Sequence, residues 1–267
     1  MKTLFEMARN GERFSDVTVI DVHAHYGSLI QTYLPFNNAE SIVENMDRIG
    51  VDATCFCAQP YGGFGDQHIW NARQAEAVRA NPGRFYGYVT LNGNWKDQAM
   101  EEFEWGEQNG LTLGLKMHVS RQGYHTTDEF LYPIYEKMNA RHAWYLHHHF
   151  GTEAELEQLL RDFPQIVFIQ GHPGLHYERL VKQYPNMYMS TCAGLKYNGI
   201  EELVRHVGAE KLLMGSDSVI FDPTFGIGPV VFAKISEEEK RMILGENAKK
   251  LMAQIVPLNK ATGGEAK

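Results

Sequence analysis

Cysteine is scarce: three in 267 residues, Cys55, Cys57 and Cys192. An odd count with a C-x-C spacing argues against a disulfide framework or a zinc knuckle, and fits a reducing compartment. Positive charge is also in deficit. Lys and Arg number 25 against 33 Asp and Glu, giving a net charge of −8. That balance argues against nucleic acid or an anionic membrane as the partner. No apolar run reaches the 18 residues of a membrane span, and the charged N-terminal stretch MKTLFEMARNGERFSD has no signal-peptide core. The expectation is a cytoplasmic protein acting on a small molecule, with neither nucleic acid nor membrane as partner. The Rossmann fingerprint is missing too. YGGFGD at 61–66 is rich in glycine but lacks the Lys-Ser/Thr of a phosphate cradle, and reads as a loop.

What is present is alternation. Eight short apolar runs, rich in β-branched and aromatic residues, span 17–25, 51–59, 84–91, 111–118, 143–149, 165–172, 186–193 and 211–217. Helical spacing fills 38–50, 68–80, 97–109, 128–141, 152–162, 176–184 and 199–207. Gly50 sits where a helix C-cap would. Thr152 with Glu155 three residues on forms a capping-box pattern. The stretch 236–254 reads as helix, glycine-marked break, helix. Eight βα units without a linker predict one domain over 1–267, a single (β/α)8 barrel with C-terminal helices. An open doubly wound sheet is the alternative.

Histidine is abundant, with 12 residues, and its position relative to strand ends is informative. Catalytic groups of a (β/α)8 barrel lie at the C-terminal ends of the strands. The first run ends in Asp21, His23 and His25, which share a face at a period of two. The fourth ends in Lys116 and His118. The fifth ends in His147, His148 and His149; the first and last of these share a face and His148 is expected on the other. The sixth ends in His172 and the eighth in Asp217. Imidazole with carboxylate suits zinc, manganese or iron(II). An open coordination position would hold a water acidified toward neutrality. A lone strand histidine is by default a hydrogen-bonded core residue, and His68, His125, His142, His176 and His206 fall in helices or loops, where surface or capping roles are the default.

IDVHAH, LHHHFG, FPQIVFIQGHPG, LLMGSD and ILGENAKKLM, in this order along nearly the whole chain, resemble the amidohydrolase-related family. This is the metal-dependent branch that includes aminocarboxymuconate-semialdehyde decarboxylase and the resorcylate decarboxylases. The resemblance implies a metallo-dependent-hydrolase type of barrel holding one divalent metal, usually zinc, with manganese or iron(II) as alternatives. His23, His25 and Asp217 would be ligands, with Asp217 alternatively the base. The fifth-strand ligand is His147 counted from the strand start or His149 counted from the following glycine, and we take His147. His172 would be the acid/base. Asp21 is expected to support the site from within the barrel. Lys116 could bridge a second metal, bind a substrate carboxylate or reach to the rim, and His118 could be a ligand or a substrate contact.

The expected activity is metal-assisted hydrolysis of a lactone, ester or amide. The alternative is non-oxidative decarboxylation of an aromatic or unsaturated acid, which calls for a cationic clamp; Arg73, Lys116 and Arg121 are its candidates. Tyr26, Tyr61, Phe64, Tyr124, Phe221 and Phe225, on the loops after strands one, two, four and eight, suggest a pocket for a small, partly apolar ligand. They could equally serve packing or an interface, and a homodimer is one arrangement open to the chain.

Overall fold

The computed structural model describes residues 2–27, 34, 37–58, 66–118, 124–192 and 198–258. Eight parallel strands pair in sequence order: β1 (Ile20–Tyr26), β2 (Ala53–Ala58), β3 (Phe85–Thr90), β4 (Gly114–Met117), β5 (Trp144–His147), β6 (Val167–Gln170), β7 (Met187–Ser190) and β8 (Leu212–Leu213). The sheet closes on itself just past β8. The Val22 N–H donates to the Met214 carbonyl at 2.9 Å, the Asp217 N–H to the His23 carbonyl at 2.9 Å, and Ala24 bridges Ser218. The (β/α)8 barrel expected from the alternation is the observed fold.

Eleven α-helices are described: α1 (Leu4–Arg9), α2 (Ala39–Ile49), α3 (Gln67–Ala80), α4 (Ala99–Gln108), α5 (Tyr132–Ala140), α6 (Glu153–Asp162), α7 (Glu178–Gln183), α8 (Gly199–Val207), α9 (Thr224–Val231), α10 (Glu237–Arg241) and α11 (Asn247–Met252). Among the described residues no helix is long and apolar enough to cross a membrane. Local chemistry sets the boundaries. Gly50 takes the left-handed conformation, φ 96°, and ends α2. Thr152 and Glu155 cap α6 reciprocally.

Two cores divide the buried side chains. Ile20, Val22, Cys55, Tyr88, Trp144, Leu146, Ile169 and Leu213 pack together inside the barrel, and the Tyr88 hydroxyl donates across it to the Val22 carbonyl at 2.9 Å. Val19, Phe56, Phe85, Val89, Leu115, Tyr145, Phe168 and Met189 face the helices. Ala248 and Leu251 of α11 join the inner core beside Ile20 and Leu213. That helix plugs one end of the barrel, so the chemistry is confined to the other.

Three features depart from the sequence reading. α1 falls in the N-terminal stretch, where no element is expected, and α9 in a stretch read as loop. The glycine-marked break is a π-helical turn, Met242–Glu246, that joins α10 to α11 without interruption. Its glycine serves a close approach: a Cβ on Gly245 would lie 2.4 Å from the Thr18 carbonyl oxygen. The Ile243 carbonyl in that turn accepts from the Met214 N–H at 2.9 Å, tying the C-terminal helices to the closing seam. Gly245→Ala should therefore destabilise the fold by about 1–3 kcal/mol, read as a lower midpoint in urea unfolding.

Candidate metal centre

Strand β1 carries an extra residue. Asp21 pairs with Thr54 but Ala24 pairs with Phe56, so the register slips by one between them. Further on, His25 pairs with Cys57 of the inner core, while Thr54 points at Met46 of α2. The expectation that Asp21, His23 and His25 share a face is thus corrected: the bulge turns the two histidines inward and leaves Asp21 on the other face. There Asp21 Oδ1 accepts from the His23 and Ser216 N–H groups, both at 3.1 Å, and the Ser216 hydroxyl donates to Oδ2. Burial raises its carboxyl to about 7, against the pull of those donors. Asp21 braces the seam.

His23 is the centre of the cluster. Its Nδ1 lies 3.0 Å from the Gly171 carbonyl, which can only accept, so Nδ1 carries the proton. Burial, reinforced by Lys116, pushes its ionisation well below the usual histidine range. The neutral ring then presents a lone pair at Nε2. Around that atom stand Lys116 Nζ at 3.2 Å, His148 Nε2 at 3.3 Å and Asp217 Oδ1 at 3.4 Å. His25 Nε2 lies 3.1 Å from the same carboxylate oxygen, and its Nδ1 is 3.0 Å from Cys57 Sγ. Asp217 holds the left-handed conformation, φ 61°, unusual for a residue with a side chain. Burial opposes its charge, but His23, the His25 contact and His172 outweigh burial and keep it ionised well below the usual carboxylate range.

The triple histidine resolves by position. Trp144 and Leu146 point into the barrel, so Tyr145 and His147 point out. His147 Nδ1 accepts the His149 N–H at 3.0 Å, leaving Nε2–H to donate to the Tyr124 oxygen at 2.6 Å. Both its nitrogens are spent away from the cluster. His149 is exposed and stacks on His176, with centroids 5.7 Å apart. His148, expected on the opposite side, is the one that faces the cluster, because it continues the inward parity of Trp144 and Leu146. Its ring lies 5.2 Å from that of His23, 4.2 Å from that of His172 and 4.4 Å from that of His118. His172 is half-buried at the mouth, 5.6 Å from His23.

Two glycines make room for this packing. A Cβ on Gly171 would lie 2.8 Å from His148 Cδ2 and 3.0 Å from His23 Cε1, and one on Gly215 would lie 2.9 Å from His23 Cβ. His23, His172, Cys192 and Asp217 each offer a donor atom, all within 4.8 Å of one another. Cys192 is not among the site residues expected from the sequence, although its run ends at the same rim as the others. The donor set, two imidazoles, a carboxylate and a thiol converging from separate strands, fits a divalent metal.

Of the aromatic residues expected to line a pocket, Tyr124 is buried against His147 and Tyr26 packs edge-on to Phe56. Phe221 and Phe225 stack on each other, exposed, with centroids 4.9 Å apart. Tyr61, Phe64 and Arg121 lie outside the described residues. A cavity of 530 Å³ runs between α2 and residues 218–223, beside Asp217 in sequence but lined by none of the clustered histidines.

A family model described as Amidohydrolase matches residues 64–252, a segment that begins after β1. No curated protein sequence matches the chain. Solved structures share the fold. One is 2,6-dihydroxybenzoate decarboxylase from Rhizobium, with TM-score 0.71 and 13% identity over 89% of this chain and 99% of that one. Another is 4-oxalomesaconate hydratase from Rhodopseudomonas palustris, with TM-score 0.67 and 20% identity over 92% and 98%. A third is 5-carboxyvanillate decarboxylase from Novosphingobium aromaticivorans, complexed with manganese and 4-hydroxy-3-methoxy-5-nitrobenzoic acid, with TM-score 0.68 and 13% identity over 89% and 96%. At these identities the likeness is one of fold.

His147→Ala would strip a partner from both the Tyr124 hydroxyl and the His149 N–H. It should cost at least about 1–3 kcal/mol of stability, measured by chemical denaturation of the metal-free protein.

Proposed function

Because the chain belongs to the amidohydrolase family, we propose that it is a divalent-metal enzyme that decarboxylates a small aromatic or unsaturated carboxylic acid without an oxidant. His23, His25 and Asp217 hold the metal. His148 takes the fifth-strand part first given to His147, whose nitrogens are both engaged elsewhere. A bound divalent metal supplies positive charge that orients the oxygens of the acid and stabilises negative charge developing on them.

The observation that carries the choice of an acid is Lys116. It is 2% exposed, on the inward face beside His23, where burial lowers its hold on its proton. Of the other cations weighed for a clamp, Arg73 is exposed and stacks over Trp70. A desolvated ammonium needs a counter-charge, and a substrate carboxylate supplies one. Hydrolysis of a neutral lactone, ester or amide, the first expectation, brings this cation no partner. Two of the three fold relatives described above are named as decarboxylases, which points the same way.

In the reaction the bond from carbon to carboxylate breaks with its electron pair left on carbon, CO2 departs, and one proton must reach that carbon. Asp217 is held ionised and carries no proton in the resting enzyme. His172 stands half-buried between solvent and the cluster, and it delivers a proton drawn from water.

A panel of aromatic and unsaturated acids should yield CO2, with no label from heavy-oxygen water entering the other product. Label incorporation without CO2 would return the hydrolase reading. Lys116→Met should lower kcat/KM by about 10–150-fold, mostly through KM. His23→Ala and Asp217→Asn should each lose bound metal in elemental analysis, and a variant keeping both stoichiometric metal and activity would sink the ligand assignment.

A further inference from the structure

Cys192 follows β7 by two residues and is fully buried. Its sulfur belongs to the four-donor set with His23, His172 and Asp217, every donor atom within 4.8 Å of the others. The four residues arrive from the ends of four different strands, β1, β6, β7 and β8 or the turn beyond it. The backbone around the thiol is shaped to admit it. A Cβ on Gly215 would sit 2.3 Å from Ser190 Oγ and 2.9 Å from the Cβ atoms of both Cys192 and His23. A bare glycine is what lets the thiol and the imidazole approach the carboxylate together. The Cys192 N–H is held by the Ser190 hydroxyl at 3.2 Å, which fixes the start of the turn that carries the sulfur.

A buried cysteine is usually a small hydrophobe. This one sits among metal-capable side chains, its sulfur within 4.8 Å of the donor atoms of His23, His172 and Asp217. A thiol that coordinates a divalent ion is deprotonated. We infer that Cys192 is a sulfur ligand of this metal centre, which makes the site a mixed imidazole, carboxylate and thiolate one. The inference rests on the metal-centre reading above. On binding, the S–H bond breaks, a metal–sulfur bond forms and the proton leaves to solvent.

Two consequences follow from the chemistry. A thiolate is a soft donor and favours zinc over manganese, the metal in the 5-carboxyvanillate decarboxylase complex. The charges of Asp217 and the thiolate together also cancel those of a divalent ion. That leaves Lys116 as the uncompensated cation at the mouth, the condition under which a substrate carboxylate is bound most readily.

The test uses the full chain, stripped by a chelator and reloaded with zinc or cobalt(II). X-ray absorption of the zinc form should contain a sulfur shell at about 2.3 Å beside nitrogen and oxygen at about 2.0–2.2 Å. The cobalt form should have a near-ultraviolet sulfur-to-metal charge-transfer band. Cys192→Ser should lose that band and weaken zinc relative to manganese by at least about tenfold, whereas Cys57→Ser should keep the band. Stoichiometric metal bound without sulfur overturns the inference and leaves the metal centre standing. A band that survives in C192S and vanishes in C57S overturns it as well. Failure to bind either metal overturns both readings. If C192S does not fold, a sulfur shell in the wild type together with a band retained in C57S still decides the matter.

Discussion

The site depends on one hydrogen bond, from His23 Nδ1–H to the Gly171 carbonyl. It fixes the tautomer, and the tautomer fixes what faces the barrel mouth: a lone pair on Nε2, with Lys116, His148 and Asp217 all within 3.4 Å. The donor on His23 and the acceptor just past β6 can meet because Gly171 has no Cβ to strike the two rings. Without that acceptor the imidazole is free to carry its proton on Nε2 and then presents no lone pair to a metal. Outer partners of this kind fix ring orientation, and losing one typically costs about 10–100-fold in metal affinity.

That hydrogen bond is useful only because the barrel closes where it does. β8 is two residues long, so closure falls to residues 214–218 lying against β1. The same backbone bonds that close the sheet hold Asp217 in its left-handed conformation, a strain on the order of 1–3 kcal/mol. Asp21 stitches the seam from the outer face through Ser216. Gly226 of α9 comes so near Gly215 that a Cβ there would lie 2.4 Å from its carbonyl oxygen. Fold closure and site geometry are therefore one set of contacts.

The strands were legible in the sequence because both faces of a parallel barrel strand are buried, giving continuous β-branched and aromatic runs. That same continuity hid the parity. In AWYLHHH the inward Trp144 and Leu146 alternate with Ala143 and Tyr145, which are also buried, so nothing in the string says whether His147 or His148 faces the metal site. The bulge in β1 was equally invisible, since IDVHAH keeps a period of two through the inserted residue. α9 contains Gly226, Gly228 and Pro229 and reads as loop. It forms because Ile227, Val230 and Val231 are buried against the shell, tertiary packing overriding weak propensity. The residue types of the site were legible, whereas which of two neighbours points inward was set by closure.

Lys116 ties the chemistry back to the fold. A barrel mouth where burial holds His23, His148 and His172 below the usual histidine range, beside a single carboxylate, is an expensive place for an ammonium group. Burial already weakens its grip on the proton, and Asp217, Cys57 and Cys192 only partly restore it. β4 nonetheless turns this side chain inward, and Leu115 and Met117 on either side of it are buried toward the helices. The strand's own packing thus holds the lysine in place, and its cost is offset only when a negative group arrives. A divalent metal does not provide one. An anion does, and on the function proposed above that anion is the carboxylate of the substrate.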